Sequence, residues 1–266
     1  MTNRIHGSFT ELMLLKLYGL LARRLDVHRG APGALYRRAY FLYKTIKDQP
    51  VIRAARRLAR PGTVVVDVGA NIGFFSLTLS RHGDVRVLAF EPDEKNFQQL
   101  SMLIRDAGLT TRVFAYPLAL SASTGTAKLY LSDLAPTDHK LINTRSTATV
   151  DVATTRLDDF MASHPEHAGR RISLVKIDVQ GAELLVLEGM HQTLAVHCYP
   201  PILIEYSPMD LQAAGVGPLD FFEAFAKLSY RPHLLGESDA SEPSDIIAST
   251  QAYTNLLMVA GSSRGA

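Results

Sequence analysis

The residues best suited to chemistry lie at one junction of strand, loop and helix. Residues 64–73 read Val-Val-Val-Asp-Val-Gly-Ala-Asn-Ile-Gly, a β-branched run that carries Asp67 and then enters a turn. Gly69 and Gly73 allow close backbone approach or positive φ angles, and Asn71 best tolerates a left-handed conformation among other residue types. The pattern predicts a ligand-binding loop after a buried parallel strand. Its spacing differs from the G-x-G-x-x-G of dinucleotide-binding proteins.

A second strand, predicted over residues 85–91, ends at Glu91-Pro92. A carboxylate at the tip of that strand, about 20 residues past the loop, is placed to accept hydrogen bonds from a ribose diol. Asn96 lies one turn into the next helix, where it either approaches the same ligand or is solvated. The two strands together predict a nucleoside-binding edge.

Further carboxylates follow the later strands. Asp178 ends a strand predicted over 172–178, Glu183 lies one turn into the next helix, and Glu205 ends a strand at 202–205. Parallel strands end at one edge, so these groups are predicted to converge there. They could accept a proton or bind a substrate hydroxyl, and Asp178 could instead cap the helix. A divalent metal held by the carboxylates is a minor alternative.

With these residues in place, the chain resembles the FkbM family of class I, S-adenosylmethionine-dependent methyltransferases over about residues 60–206. The resemblance is carried by four motifs in order: Asp67-Val-Gly-Ala-Asn-Ile-Gly-Phe-Phe-Ser76, Phe90-Glu91-Pro92, Leu118-Ala-Leu-Ser121 and Lys176-Ile-Asp-Val-Gln-Gly-Ala-Glu183. It implies S-adenosylmethionine as the cofactor, with no obligatory metal. The residues it implies for cofactor binding are Asp67, Gly69, Ala70, Asn71, Gly73, Phe74, Glu91, Pro92, Asn96 and Asp178.

The acceptor side is less defined by sequence. An insertion at about 125–155, with strands predicted at 128–131 and 147–153, is expected to cover the substrate near the carboxyl ends of the sheet. It carries Asp138-His139, and a loop histidine can act as a general base near neutral pH. His139 is the leading base candidate, Asp178 the second, and Glu183 a supporting residue. The expected substrate-binding residues are Asp138, His139 and Glu205.

Strands and helices alternate from residue 61 onward, which predicts a Rossmann-like α/β fold: a mostly parallel seven-stranded sheet with helices on both faces. The sequence predicts a domain division into a basic helical extension, residues 1–60, and a catalytic domain, residues 61–266. Other predicted elements are helices 73–82, 93–107, 180–194 and 218–229, strands 63–68, 112–118, 232–235 and 255–260, and a flexible loop 236–252.

Charge is divided unevenly along the chain. Residues 1–60 hold 13 Lys and Arg against 3 Asp and Glu, so +10, and the remaining 206 hold 15 against 23, so −8. One interpretation is structural: the basic helices lie on the acidic domain of the same chain or support a homodimer. The other is functional: the basic helices contact anionic lipid or a phosphorylated carrier. Residues 11–25 form an amphipathic pattern too short to span a bilayer but suited to its surface. No nucleic-acid-binding module is recognisable, so nucleic acid is not expected as a partner.

Three smaller features have structural explanations. Cys198, the one cysteine, cannot form an internal disulfide and is expected to be a buried reduced thiol in a cytoplasmic protein. Tyr40-x-x-x-Lys44 matches a pair used by short-chain dehydrogenases, but here it precedes the glycine loop, so helix packing or a solvated face explains it better. His164 and His167 are expected in a surface loop rather than at a metal.

The resemblance to the FkbM family implies an O-methyltransferase that acts on a hydroxyl of a sugar, glycolipid or polyketide-like natural product. Two alternatives stay open. A nicotinamide-dependent oxidoreductase is disfavoured by the loop spacing, and a non-catalytic scaffold would use the basic helices to bind a partner or membrane.

Overall fold

The described part of the N-terminal region, residues 30–60, is mainly helical, as predicted. A computed structural model describes residues 30–81, 83–130 and 148–261. It begins with α1 (Gly30–Lys47) and α2 (Gln49–Leu58), which Asp48 alone separates. Pro50 has no backbone N–H and its ring would clash with the carbonyl of residue 46 in a continuous helix, whereas it is tolerated in the first turn of α2. The amphipathic segment 11–25 lies outside the described residues.

The catalytic region alternates strands and helices around one sheet. Its strands are β1 (Val64–Val68), β2 (Arg86–Phe90), β3 (Val113–Tyr116), β4 (Ala119–Leu120), β5 (Gly125–Tyr130), β6 (Thr149–Thr155), β7 (Ile172–Ile177), β8 (Ile202–Tyr206), β9 (Tyr230–Leu234) and β10 (Thr254–Ala260). Its helices are α3 (Phe74–Ser80), α4 (Glu94–Asp106), α5 (Leu157–Ser163), α6 (Pro165–Ala168), α7 (Glu183–Glu188), α8 (His191–Val196), α9 (Pro208–Ala213), α10 (Pro218–Lys227) and α11 (Pro243–Ser249).

The main sheet has seven strands in the order β3-β2-β1-β7-β8-β10-β9. β10 pairs antiparallel with both β8 and β9, and the other pairings are parallel. The predicted mostly parallel seven-stranded Rossmann-like sheet is therefore confirmed. The strand order reverses direction between β1 and β7, and ligands bind at this kind of switch point in open α/β sheets.

The two faces of the sheet bury different clusters. Val64, Val66 and Val68 of β1 pack in the cluster that holds the C-terminal helices, whereas Val65 packs in the cluster that includes α2 and α3. Successive side chains alternate between faces, so Asp67 shares the face of Val65. By the same alternation, Leu203 of β8 places Glu205 on that face. α2, Asp67 and Glu205 thus lie on one side of the sheet.

A second sheet, in the order β4-β6-β5, follows β3. β5 and β6 form an antiparallel pair across Gly125–Tyr130 and Thr149–Thr155, close to the two strands predicted in the insertion. The loop between them, residues 131–147, lies outside the described residues. The role of this insertion as a substrate cover stays a prediction.

Several predicted elements differ in the structure. The predicted helix 180–194 is two short helices, α7 and α8, with Gly189 and Met190 between them. Pro117, which has no backbone donor, separates β3 from β4. The predicted flexible loop 236–252 contains α11, whose Ile246 is buried against the core. Cys198 is exposed, not buried, because it lies in the turn after α8 with φ 58°.

Among the described residues, no helix combines the length and apolar character needed to cross a membrane.

Candidate functional site

The loop after β1 has the backbone geometry that its sequence predicts. Gly69, Asn71 and Gly73 have φ angles of 76°, 52° and 91°, all in the left-handed region. A Cβ at Gly69 would overlap the carbonyl oxygen of Asp178, and one at Gly73 would overlap the Leu100 side chain. Backbone angle and close approach together therefore require glycine at Gly69, whereas at Gly73 the backbone angle is the main reason, because the Leu100 side chain can move.

Glu91 joins this loop to the end of β2. Its Oε2 accepts from the Asn71 amide at 2.7 Å, and its Oε1 accepts from the Asp93 amide at 3.0 Å. The amides of Gly69 and Ala70 donate to the Phe90 carbonyl at 3.0 and 2.9 Å. Burial raises the pKa of Glu91 to about 7, although the two amide hydrogen bonds oppose that shift. A buried carboxyl therefore faces the loop where a ribose would bind.

Asn96 supports Glu91 and is not solvated. It is buried, its side chain hydrogen-bonds the Glu91 carboxyl, and its backbone amide donates to Asp93 Oδ1 at 2.9 Å. That last bond caps α4, with Pro92 between the cap and Glu91. The solvated interpretation of Asn96 is wrong, and its contact with a cofactor stays a prediction.

A buried lysine joins the loop to the acceptor side. The Lys176 ammonium lies 3.3 Å from Asp67 Oδ1 and 3.3 Å from Asp178 Oδ2, and 5.4 Å from the centroid of the Phe75 ring. Asp67 has no exposed surface, and its Oδ2 accepts from the Ser76 hydroxyl at 2.6 Å. Asp67 therefore joins β1 to the first turn of α3 through Ser76, and its contact with a cofactor stays a prediction.

The same ammonium controls the ionisation of Asp178. Burial alone would raise the pKa of Asp178, but Lys176 and, next, Lys44 outweigh burial and lower it. The Lys176 pKa is raised in turn, because the two carboxylates outweigh its own burial. Asp178 is thus a carboxylate throughout the neutral range. Sequence reasoning did not assign a role to Lys176. Its position two residues before Asp178 could have indicated one, because residues two apart on a strand share a face.

Glu205 has the opposite electrostatic setting. Burial, followed by the nearby charge of Asp178, raises the pKa of Glu205 to about 8, against the lowering effect of Lys44, Lys47 and Lys176. The pKa values of the two carboxyl groups, Asp178 and Glu205, are therefore shifted in opposite directions. Near neutral pH the Asp178 carboxyl is ionised and the Glu205 carboxyl is mostly protonated. In the part of the chain that the structure describes, no three His, Cys, Asp or Glu side chains are grouped to hold a metal ion.

Glu183 contacts its own turn. Both of its carboxylate oxygens accept from the Gly181 amide, at 3.0 and 2.9 Å, and the side chain is buried. Gln180 and Gly181 have positive φ angles of 49° and 102°. Burial raises the pKa of Glu183 to about 7. Glu183 braces the turn that follows Asp178, which fits the supporting role expected for it.

The N-terminal helix α1 lies over this edge of the sheet, which sequence reasoning did not predict. Phe41 packs edge-on against Phe74 of the cofactor loop, with ring centroids 5.5 Å apart. The Lys47 ammonium lies 5.0 Å from the ring of Tyr253, just before β10. Burial raises the pKa of Tyr40, and the charge of Asp178 adds to the shift. Lys44, in an ion pair with Asp48, also interacts with Asp178.

The Tyr40-x-x-x-Lys44 pattern is therefore helix packing, as interpreted, but packing against the catalytic edge. In the sequence, the feature that indicated this packing was the positive charge of residues 1–60 beside a negatively charged domain. Asp138 and His139 lie outside the described residues, so their predicted roles are neither supported nor opposed.

The prediction that His164 and His167 lie in a surface loop is wrong. His167 lies in α6 and is buried, its Nε2 2.7 Å from the Tyr116 hydroxyl. Phe160 stacks on His164 with centroids 4.0 Å apart, and burial lowers the pKa of His167. These rings form a packed aromatic cluster, which explains both histidines without a metal.

Taken together, the geometry provides a backbone loop with the buried Glu91 carboxyl on one side. On the other side lie an ionised carboxylate and a protonated one. A family model described as the methyltransferase FkbM domain matches residues 67–232, more than half of the chain. The cradle, Glu91, Asp178 and Glu205 all lie inside that match, whereas α1 lies outside it.

Curated relatives agree with that match. The chain is 32% identical over 182 residues to the methyltransferase sdnD of Sordaria araneosa, covering 58% of this chain and 70% of the relative. It is 31% identical over 184 residues to the hexuronic acid methyltransferase AglP of Haloferax volcanii, covering 68% and 70%.

Solved structures with detectable similarity include a SAM-dependent O-methyltransferase from Thermotoga maritima, at TM-score 0.43 and 10% identity, covering 80% of this chain and 65% of that one. Another is a precorrin-6y C5,15-methyltransferase from Geobacter metallireducens, at 0.45 and 12%, covering 80% and 89%. These similarities are low, and the assignment depends on the sequence matches. On the extent of the family match and the identity to AglP, this chain belongs to the FkbM family of methyltransferases.

Proposed function

We propose that this methyltransferase uses S-adenosylmethionine and transfers its methyl group to a hydroxyl of a sugar, glycolipid or natural-product acceptor. The observation that carries the proposal is Glu91, a buried carboxyl that hydrogen-bonds the Asn71 amide in the cradle after β1. Gly69 lets this loop lie directly against the end of β7, since a Cβ there would overlap the Asp178 carbonyl oxygen. A ribose diol would replace the amide donors at Glu91 or share its oxygens with them.

S-adenosylmethionine, when bound, supplies a methyl group on a positively charged sulfonium. The chain's own task is to align the acceptor hydroxyl with that methyl and to remove its proton. Asp67 and Lys176 fix the loop, and Asp178, held ionised by Lys176, provides a negative charge close to the cradle. An ionised carboxylate favours the binding of a cationic group nearby.

Glu205 is the general base proposed among the described residues, acting in its ionised form, which becomes more populated as the pH rises toward its raised pKa. A general base is most effective when its pKa lies near the working pH, and the pKa of Glu205 is raised to about 8. Asp178, with a lowered pKa, is a weaker base. His139 remains the alternative base, and Asp138 and Glu205 the expected acceptor-binding groups.

Support for the acceptor class comes from one relative, AglP, whose description names a hexuronic acid methyltransferase. Carboxylate and ammonium groups can hydrogen-bond sugar hydroxyls. Under α1, the carboxylate of Asp178 interacts with Lys44 and Lys176, and its charge also acts on Glu205.

A thermal-shift comparison tests the cofactor. S-adenosylhomocysteine at 100 times its Kd should stabilise the protein by about 2.7 kcal/mol, whereas NAD⁺ should leave Tm unchanged. Stabilisation by NAD⁺ alone would contradict the proposal. Mass spectrometry of uronic acid and neutral glycosides incubated with S-adenosylmethionine then tests the acceptor, and a methyl ether is the expected product.

A further inference from the structure

The outer face of α1 is apolar and exposed. Leu42 and Ile46 lie one helical turn apart and are 65% and 72% exposed, with Tyr43 beside them at 36%. Tyr40, Lys44 and Lys47, at spacings of four and three, form the opposite side of the helix over the catalytic edge. Large exposed apolar side chains grouped on one helix face mark contact sites for another surface.

The same region is strongly basic. Residues 30–60 hold eight Lys and Arg against one acid, Asp48, which already pairs with Lys44. Arg53, Arg56 and Arg57 are exposed along α2, because Val51, Ile52 and Ala55 face the core. Within the described chain, none of these three arginines forms an ion pair.

Exposed apolar side chains on α1, together with arginines that form no ion pair within the described chain on α2, which follows α1 after Asp48 alone, are complementary to one kind of partner, an anionic bilayer. Apolar side chains enter the boundary between headgroups and acyl chains, while arginines bind the headgroup phosphates. A neutral protein surface would not use the charge, and a nucleic acid would not use Leu42 and Ile46.

We propose that the protein docks on an anionic lipid surface through a docking face formed by Leu42, Tyr43 and Ile46 of α1 with Arg53, Arg56 and Arg57 of α2. The other side of α1 contacts the catalytic edge, so docking places that edge next to the bilayer. If the proposed function holds, the acceptor is therefore a hydroxyl on a lipid-linked molecule held at the membrane.

Vesicle co-sedimentation of the full chain tests the docking face. Vesicles of phosphatidylcholine with about a third phosphatidylglycerol should bind the protein, and phosphatidylcholine alone should not, with binding weakened by salt. Replacing Arg53, Arg56 and Arg57 by Gln should weaken binding about 100-fold. The matched triple change at Lys95, Arg105 and Lys227, which are exposed elsewhere, should have little effect.

A second pair of variants isolates the apolar part. Ile46→Ser should weaken vesicle binding about tenfold or more. Val196→Ser, at a site 75% exposed at the end of α8, should not. Equal binding to both vesicle types, or equal effects of these two variants, would overturn the proposal. So would loss of a dimer on Ile46→Ser without loss of lipid binding, since the face would then join two copies.

Because residues 1–29 add five further Lys and Arg, the variants rather than the wild type locate the contact. Calorimetry with S-adenosylhomocysteine on the same variants separates the two proposals. Retained cofactor binding with lost vesicle binding supports docking, and absent cofactor binding in the wild type would contradict the proposed function alone.

Discussion

The cofactor side and the acceptor side of the site are built in different ways. On the cofactor side, backbone angles at Gly69, Asn71 and Gly73 and two amide donors to Glu91 define the geometry. On the acceptor side, charged side chains from separate segments do so: Lys176 with Asp178, and Glu205 under α1. The first depends on local geometry and the second on long-range electrostatics.

That difference has a chemical consequence. Cofactor binding tolerates few changes at the glycines because no other residue type meets the space and the angles. Acceptor binding depends on the balance between ammonium and carboxylate groups, so charge-neutralising substitutions there should alter catalysis and pH dependence more than the fold. Variants on each side can therefore separate the two.

The largest effect is expected from Glu205→Gln. Removing a general base lowers kcat by roughly 10²- to 10⁴-fold, whereas cofactor affinity should stay within about twofold. Steady-state kinetics with S-adenosylmethionine and a uronic acid glycoside checks this. An unchanged kcat would indicate that Glu205 is not the base and would favour His139. A parallel loss of cofactor affinity would show that Glu205 also supports the cofactor side, so that the two sides are not independent.

Lys176→Met tests the link between the sides. It leaves Asp67 and Asp178 without their ammonium, which should destabilise the fold by about 3–5 kcal/mol in urea unfolding. Lys128→Met is the matched control, because its 3.0 Å pair with Asp151 is mostly exposed and should cost less than about 1 kcal/mol. Similar costs for the two variants would mean that the buried bridge contributes little.

Gly69→Ala sharpens the cofactor side. The backbone angle alone should cost about 1–2 kcal/mol, and overlap with the Asp178 carbonyl should add to it and abolish cofactor binding. Gly62 has a similar φ, 79°, but a Cβ there meets nothing within 4 Å. Gly62→Ala should therefore show the angle cost without loss of S-adenosylhomocysteine binding, and equal behaviour would refute the close-approach argument.

The smallest effect concerns pH. The pKa of Glu91 is raised to about 7 by burial, and a diol binds best to the ionised carboxylate. Below pH 7 a proton must leave before binding, so affinity for S-adenosylhomocysteine should fall by about tenfold per pH unit and level off above pH 7. In Glu91→Gln the profile should be flat. An unchanged pH profile in that variant would assign the titration to another group.

The contrast also explains how far the sequence could predict the molecule. The seven-stranded sheet, the positive φ angles and the place of Glu91 follow from local residue types and alternation. The position of α1 does not, because Tyr40 and Lys44 meet Asp178 across more than 130 residues of chain. Cys198 was predicted to be buried from residue type alone, and the turn after α8 overrode that preference. Lys176 lies within one of the family motifs, but its role could not be predicted, since its partner Asp67 lies on another strand.

The most direct test of the account is calorimetric titration with S-adenosylhomocysteine of the wild type, Glu91→Ala and Glu205→Gln. The account predicts micromolar binding by the wild type, a loss of about 1–3 kcal/mol in Glu91→Ala, and no significant change in Glu205→Gln. No binding by the wild type, or equal losses in the two variants, would contradict a site divided into a cofactor side and an acceptor side.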